Sequence, residues 1–547
     1  MGPLPLRFST PVLTAVALVS VHLALSFIWV LQHDLPTGGR DEFFIVEVVT
    51  DIAYRIAEGD WAGVHRYLFD NAYYPPLVRL PGVVALLLGG SYSALVLSGW
   101  VWLPFLLIPT WLIGRRISGT PWGGTGALAL LLAAPGFADC LHHYESNLGP
   151  MAMTACCFLA WLHSDHFTRS RFSLAFGLFL GLGLLSDRLG VLPFVLVPGL
   201  VSLLVTRSRR TLTGLALVAS ATAVTAGWWY LGFFSRFGAE LLPQLLHGEI
   251  DRSGALLDQG SSGLGFWLHY LLLWPDTQLG LVAGMLALGG LLLAAFSRER
   301  RLALLLSWVL GGLFLFTLSQ KRQVYYTLPL LPLAAVLGSN LLVRLRERCR
   351  RSGPAIVLAV VFVVQVPAVL GLHPEWADFA PGLRSWLLLN QSPLSDEAFG
   401  ARHPLGRSPA PSGLDLQETV ANLRRATGDA HPELVVFSSS DAQVTEHYQV
   451  VLGRIALGTL DLHGLTTHPE GFLQGLHSPD ALLFVHRGGA DWPQREQLIA
   501  AHESYDRWLP HFEGLLELLG EWRAGAELLE VQQLADGEQL SVWRLSP

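Results

Sequence analysis

The stretch PVLTAVALVSVHLALSFIWVL, Pro11–Leu31, decides the fold: it holds no Asp, Glu, Lys or Arg. As a helix it is long enough to cross about 30 Å of hydrocarbon. Ala24-Leu25-Ser26 offers only a weak cleavage site for a signal peptide. Comparable apolar runs recur downstream, so the segment reads as a retained anchor. Only helices or closed barrels satisfy the backbone in lipid, and runs of this length select helices. The chain as a whole agrees, with 51% hydrophobic and 14% charged residues over 547 positions and a mean hydropathy of +0.43. That composition excludes a soluble enzyme of this size. A net charge of −7 gives no sign of a nucleic-acid partner. Four cysteines are too few for a disulfide framework, and Cys156-Cys157 lie in an apolar run where burial is the expected fate.

The expected spans are Pro11–Leu31, Ala94–Ile113, Gly123–Ala138, Leu148–His163, Phe172–Leu185, Leu189–Val205, Leu212–Phe233, Thr277–Phe296, Leu302–Leu318, Val324–Val343 and Ala355–Leu372. Arginine clusters orient them: Arg115-Arg116, Arg169/Arg171, Arg207/Arg209/Arg210, Arg298/Arg300/Arg301 and Arg344 through Arg351. If the spans alternate from a cytoplasmic Arg7, every cluster falls inside. Pro76–Gly90 is apolar but short and holds Arg79 and Pro81. Counting it as a span would put the later clusters outside, so it reads as a helix lying in the outer interface. The N-terminus is then cytoplasmic and the C-terminus periplasmic.

From His373 onward charge, His and Pro rise and no further span follows. The expected organisation is a polytopic α-helical membrane domain over 1–372 with about eleven spans, a linker over 373–412, and a soluble periplasmic α/β domain over 413–547. Within the tail, Leu414–Ala426 and Gln497–Leu519 have a helical period. Leu434–Ser438 and Ala481–His486 read as buried strands, and Leu528–Leu534 with Leu540–Leu545 as a closing hairpin. His463, His468 and His477 fall on expected surface loops. No P-loop, dinucleotide fingerprint or zinc spacing occurs in the tail.

The outer face gathers unusual groups. Asp41-Glu42 follow the first span and precede a helical stretch, Phe43–Glu58. Tyr73-Tyr74-Pro75-Pro76 lead back toward the interface, the prolines fixing the backbone. The second outer loop, Asp139–Asn147, holds His142, His143 and Glu145. Asp187-Arg188 sit between two apolar runs with almost no loop. Lys321-Arg322 precede Tyr325-Tyr326, and Lys321 is the only lysine among 36 basic residues. Each group has a plain alternative: loop solvation, a local ion pair, snorkelling basic side chains or ordinary loop histidines. Two acidic loops and two basic sites on one membrane face are harder to explain by these separately. Ionisable groups at membrane depth are costly and mark function, and basic residues on the outer side suit an anionic ligand such as a lipid phosphate.

These residues resemble a family. The opening Asp41-Glu42 and the entry Tyr74-Pro75-Pro76-Leu77 look like the GT-C membrane glycosyltransferases, in the group of protein O-mannosyltransferases and aminoarabinose lipid A transferases. Ser186-Asp187-Arg188 before Leu192-Pro193-Phe194, and Lys321-Arg322 before Leu328-Pro329, add to the likeness, which covers residues 1–372. The resemblance implies transfer of a sugar from a polyprenyl-phosphate donor at the periplasmic face of the inner membrane. The acceptor would be a lipid, a glycan or a secreted protein. Asp41 would be the catalytic carboxylate, with Glu42 and Glu145 assisting. Arg188, Lys321 and Arg322 would hold the leaving phosphate. Tyr73, Tyr74, Pro75, Pro76, His142, His143 and Tyr325 would line the pocket. The family commonly has Asp where this chain has Glu145. With Glu42 and His143 that residue is a candidate ligand for a divalent metal, zinc or manganese. A transporter or flippase of envelope glycolipids, or a membrane anchor for the tail, are the rival expectations. Inverted repeats with broken helices, which the first would need, are not evident.

Overall fold

The computed structural model describes residues 9–32, 40–70, 74–144, 146–187, 191–206, 208–235, 268, 270–318, 324–348, 358, 366, 416–427, 434–438, 481–487, 490–494, 509–534 and 539–545. The chain divides into two compact units. The first comprises Met1–Val30, His65–Pro81 and Leu95–Pro409, and the second Leu31–Val64, Gly82–Ala94 and Ala410–Pro547.

The chain is a multi-pass helical membrane protein. Each expected span up to Val343 overlaps helical residues, Gly123–Ala138 being split between two helices. In chain order these begin with α1 (Thr10–Gln32), α2 (Arg40–Glu58), α3 (Trp61–His65), α4 (Pro76–Gly89), α5 (Tyr92–Ser98) and α6 (Leu103–Ser118). They continue with α7 (Pro121–Leu132), α8 (Pro135–His142), α9 (Leu148–Ser164), α10 (Ser170–Ser186), α11 (Leu192–Thr206) and α12 (Arg209–Thr222). The last three of the membrane part are α13 (Leu281–Phe296), α14 (Arg300–Leu318) and α15 (Leu331–Arg348). Among the described residues 5 helices are long and apolar enough to cross a membrane unaided, or 6 if the bent pair α7–α8 is one span. The helices α9, α10, α11 and α13 are apolar but shorter, as is α4. The eleventh expected span, Ala355–Leu372, lies outside the described residues apart from Leu358 and Val366.

Burial sorts the helices. The span ending in α15 is 83% buried against 22% for α1, so α15 runs through the bundle while α1 turns most of its surface to lipid. Contacts between helices rely on small residues. A side chain at Gly114 of α6 would lie 2.6 Å from the Gly123 carbonyl of α7. Such close approach replaces the hydrophobic drive that lipid removes. Aromatic side chains fill the middle, with Trp308 edge-on to Phe158 at 5.1 Å and against Trp161 at 5.5 Å.

One expectation needs correction. Asp139–His142 do not form an outer loop. Pro135 starts a new helix at its first position, where a missing N–H costs nothing, and α8 leaves α7 at 64°. Asp139, His142 and His143 are thereby buried.

The arginine-rich helix ends gather at one end of the first unit. Arg301 Nη1 donates to the Arg116 carbonyl at 3.0 Å and Arg116 Nη2 to the Leu162 carbonyl at 3.4 Å. Arg344 pairs with Glu299. The clusters at the ends of α6 and α15 and the start of α14 thus share a face, as their charge pattern predicts.

The second unit contains α2, α16 (Leu416–Thr427), α17 (Leu509–Trp522) and a four-stranded sheet. Its strands β1 (Leu434–Ser438), β2 (Ala481–Arg487), β3 (Glu527–Gln533) and β4 (Gln539–Leu545) lie in the order β1-β2-β4-β3. β1 and β2 are parallel, while β4 is antiparallel to both β2 and β3. Leu482–Val485 and Leu540–Val542 supply its core. α2 is amphipathic, burying Ile45, Val49 and Ile52 at helical spacing. Its Arg55 bridges Asp51 at 3.0 Å and Asp60 at 2.7 Å. Burial and Glu58 push the Tyr54 hydroxyl up, with Arg424 of α16 and Arg55 opposing. The helix after the first span therefore belongs with the tail domain. The expected tail histidines His463, His468 and His477 lie outside the described residues.

Candidate active site

At the end of the first unit away from the arginines, segments distant in sequence meet around α8. Trp29, near the end of α1, stacks on His142 at 4.1 Å with 7° between the planes, and meets His143 edge-on at 6.1 Å. His143 Nε2 stands 3.7 Å from Asp139 Oδ1, one helical turn away. Trp100 Nε1 donates to the Leu141 carbonyl at 3.0 Å. A side chain at Gly136 would lie 2.8 Å from Leu328 Cδ2 and tight against the Gln278 backbone, so α8 lies against the turn at Val324–Leu330 that carries Tyr325. Gln278 Nε2 donates to Thr327 Oγ1 at 2.8 Å and ties that turn to the π-turn Trp274–Gln278. Beside it, Gly149 at the start of α9 packs so closely on Ser186 that any side chain would clash. That contact brings Ser186-Asp187 next to the second loop.

The Tyr-Pro-Pro entry joins the same end. Tyr74, Pro75 and Pro76 are buried, with Pro76 the first residue of α4. Pro81 inside α4 removes one intrahelical bond. The Tyr144 hydroxyl donates into this helix, to the Val78 carbonyl at 2.6 Å. The structure thus brings together Tyr74, Pro75, Pro76, His142, His143, the segment at Asp187 and, through Val324–Leu330, Tyr325. Asp41 and Glu42 are the second and third residues of α2, in the second unit; their side chains lie outside the described part. Tyr73, Glu145, Arg188, Lys321 and Arg322 lie outside the described residues. The metal candidates Glu42 and Glu145 are among these, and no group of three His, Cys, Asp or Glu gathers among the described residues.

Two groups escape the sequence reading. Trp29 looks like an ordinary interfacial aromatic. Arg79 looks like a defect in an apolar helix. It is 1% exposed, donates from Nη1 to the Tyr67 carbonyl at 2.7 Å, and its Nε has no partner. No carboxylate pairs with it among the described residues. Desolvating an uncompensated cation costs several kcal/mol (about), more than the roughly 1.5–3 kcal/mol returned by one charged hydrogen bond. Arg79→Met is therefore expected to leave the thermal midpoint unchanged or raise it. A fall of several degrees in a thermal unfolding scan would show that the bond to Tyr67 outweighs the buried charge.

No family model matches the sequence, and no curated protein matches it. Solved structures do. ArnT from Cupriavidus metallidurans, in the apo state and bound to undecaprenyl phosphate, superposes with a TM-score of 0.55 at 16% identity, covering 97% of each chain. The oligosaccharyltransferase of Archaeoglobus fulgidus gives a TM-score of 0.47 at 12% identity, over 86% of this chain and 69% of its own. Along almost its whole length, the chain has the fold of ArnT.

Proposed function

We propose that the protein is a membrane glycosyltransferase that moves a sugar from a polyprenyl-phosphate donor to an acceptor at the outer face of the membrane. The observation that carries this reading is the fold shared with ArnT over 97% of both chains, one of those structures holding undecaprenyl phosphate. The motifs Asp41-Glu42 and Pro75-Pro76 support it. In the proposed reaction Asp41 takes the proton of an acceptor hydroxyl. The oxygen attacks the anomeric carbon from the side opposite the phosphate. The bond from that carbon to the phosphate oxygen breaks, the configuration inverts, and polyprenyl phosphate leaves with the bonding electrons. Arg188, Lys321 and Arg322 are assigned to that leaving charge, where fixed cations lower the barrier. Tyr73, Tyr74, Tyr325, His142 and His143 are assigned to the pocket, and Glu42 and Glu145 to the acceptor or a divalent metal. The active face and the 413–547 domain would be periplasmic, with the N-terminus cytoplasmic. The acceptor is a lipid, a glycan or a secreted protein.

The test uses the full chain in lipid nanodiscs with radiolabelled polyprenyl-phosphate sugars and an envelope extract as acceptor. Label should leave the donor and an equal amount of polyprenyl phosphate should appear. Intact donor with every sugar tried would overturn the reading.

A further inference from the structure

The arginine-rich end of the first unit carries a cavity that the proposed transfer does not use. It lies some 25 Å along α9 from the His142 end, at about 1.5 Å per residue. Its volume is about 170 Å³, and its walls include Arg116, Trp161, Asp165, His166, Arg300 and Arg301. A water takes roughly 30 Å³ of liquid, so a tetrahedral oxyanion fits with room for solvent.

The charges around it do not balance. Three guanidiniums face one carboxylate, Asp165, whose Oδ1 is 3.6 Å from Arg300 Nη2 in an exposed pair. Arg301 and Arg116 each spend one donor on a backbone carbonyl, and neither meets a carboxylate among the described residues. A guanidinium has five N–H donors, so most remain to be used. Arg300 and Arg301 also occupy the first two positions of α14, which has no acidic residue in its first turn. The helix dipole is already positive there, so cations are disfavoured and an anion favoured.

The backbone beside the cavity is strained. Asp165, His166 and Phe167 have φ of 49°, 57° and 64°, three successive left-handed residues without a glycine. The turn is held by the Phe167 N–H on Ser164 Oγ at 3.0 Å and the Arg169 N–H on the Ser164 carbonyl at 3.0 Å. Its result is to seat His166, 4% exposed, in the cavity wall. Trp161 Nε1 donates to Ser202 Oγ at 2.9 Å. The Ser202 hydroxyl in turn reaches His166 Nδ1 at 3.3 Å. With Nδ1 accepting, a neutral ring carries its proton on Nε2, which has no partner. Burial, helped by Arg300 and opposed by Asp165, pushes His166 below its ordinary value and keeps it neutral.

We propose that this cavity is a binding site for a phosphate group, gripped by Arg116, Arg300 and Arg301, with His166 packed in its wall. The group is either the headgroup of an anionic lipid in that leaflet or a soluble phosphate. Native mass spectrometry of the full chain tests it, using phosphatidic acid and phosphatidylcholine as probes. Wild type should retain phosphatidic acid at least tenfold more strongly than phosphatidylcholine. Arg116→Gln/Arg301→Gln should lose that preference, while Arg115→Gln/Arg171→Gln, on the same face but outside the cavity, should keep it. Arg300→Gln alone leaves the other two arginines in place and should weaken retention about threefold, which covers the case in which the double variant misfolds. Competition by millimolar inorganic phosphate would identify a soluble ligand, and its failure to compete a lipid headgroup. No preference in wild type, or an equal preference in wild type and both cavity variants, would overturn the site.

Discussion

Asp41→Asn is expected to lower sugar transfer by about 10²–10⁴-fold, the range that a positioned general base contributes. The substitution keeps size and hydrogen-bonding capacity and removes only the ability to take a proton. It should therefore act on kcat and leave the KM for the donor within a few-fold of wild type. Asn in the first turn of α2 is also tolerated by the helix, so the thermal midpoint should move little. Glu42→Gln should be milder, about tenfold, and should fall on the KM for the acceptor. Both numbers come from one assay, single-turnover and steady-state transfer from labelled donor. Full activity of Asp41→Asn would remove the carboxylate from the chemistry, whereas no transfer by wild type and variant alike with every donor would favour the transporter or anchor reading.

What the sequence revealed and what it concealed follow from the range of the interactions. Each apolar run is a local signal, because the thickness of the hydrocarbon sets its length. Helices duly appear at every expected span in the described part, and the basic ends of α6, α14 and α15 meet as their charges predict. The tail hairpin β3–β4 was legible for the same reason, its strands being neighbours in sequence. The parallel pairing of β1 with β2 was not, since nothing local records a partner more than forty residues away. The second outer loop was misread through composition. Asp139, His142 and His143 look like solvated loop residues, but Phe137 and Leu141 repeat at helical spacing after Pro135, and that signal was available. Trp29 against His142 joins positions more than a hundred residues apart, and either residue alone has an ordinary explanation. Glycines such as Gly136 and Gly149 carry no side-chain signal at all, yet their bare backbones let Leu328 and Ser186 approach the second loop.

Trp29→Ala is expected to damage both the stability of the first unit and the transfer activity. Trp29 is 3% exposed on a helix that is otherwise mostly lipid-facing, and it shares the anchoring of α1 with Ala15, His22, Ser26 and Val30. Truncating a buried Trp costs about 3–5 kcal/mol, and less where the surroundings collapse into the space. Collapse is hindered here, because the ring is sandwiched against His142 by a helix whose own position is fixed by Gly136 on Leu328 and by Trp100 on Leu141. The thermal midpoint should therefore fall by several degrees. Activity should fall further than stability explains, because His142 loses the surface that orients its ring. Trp29→Phe keeps an aromatic face and should recover most of the activity, whereas Trp29→Leu restores bulk without a face and should not. Thermal scans and transfer kinetics on the three variants separate these effects. If Leu rescues as well as Phe, Trp29 is packing alone; if Phe rescues and Leu does not, the stacked Trp29–His142 pair is what orients the end of α8.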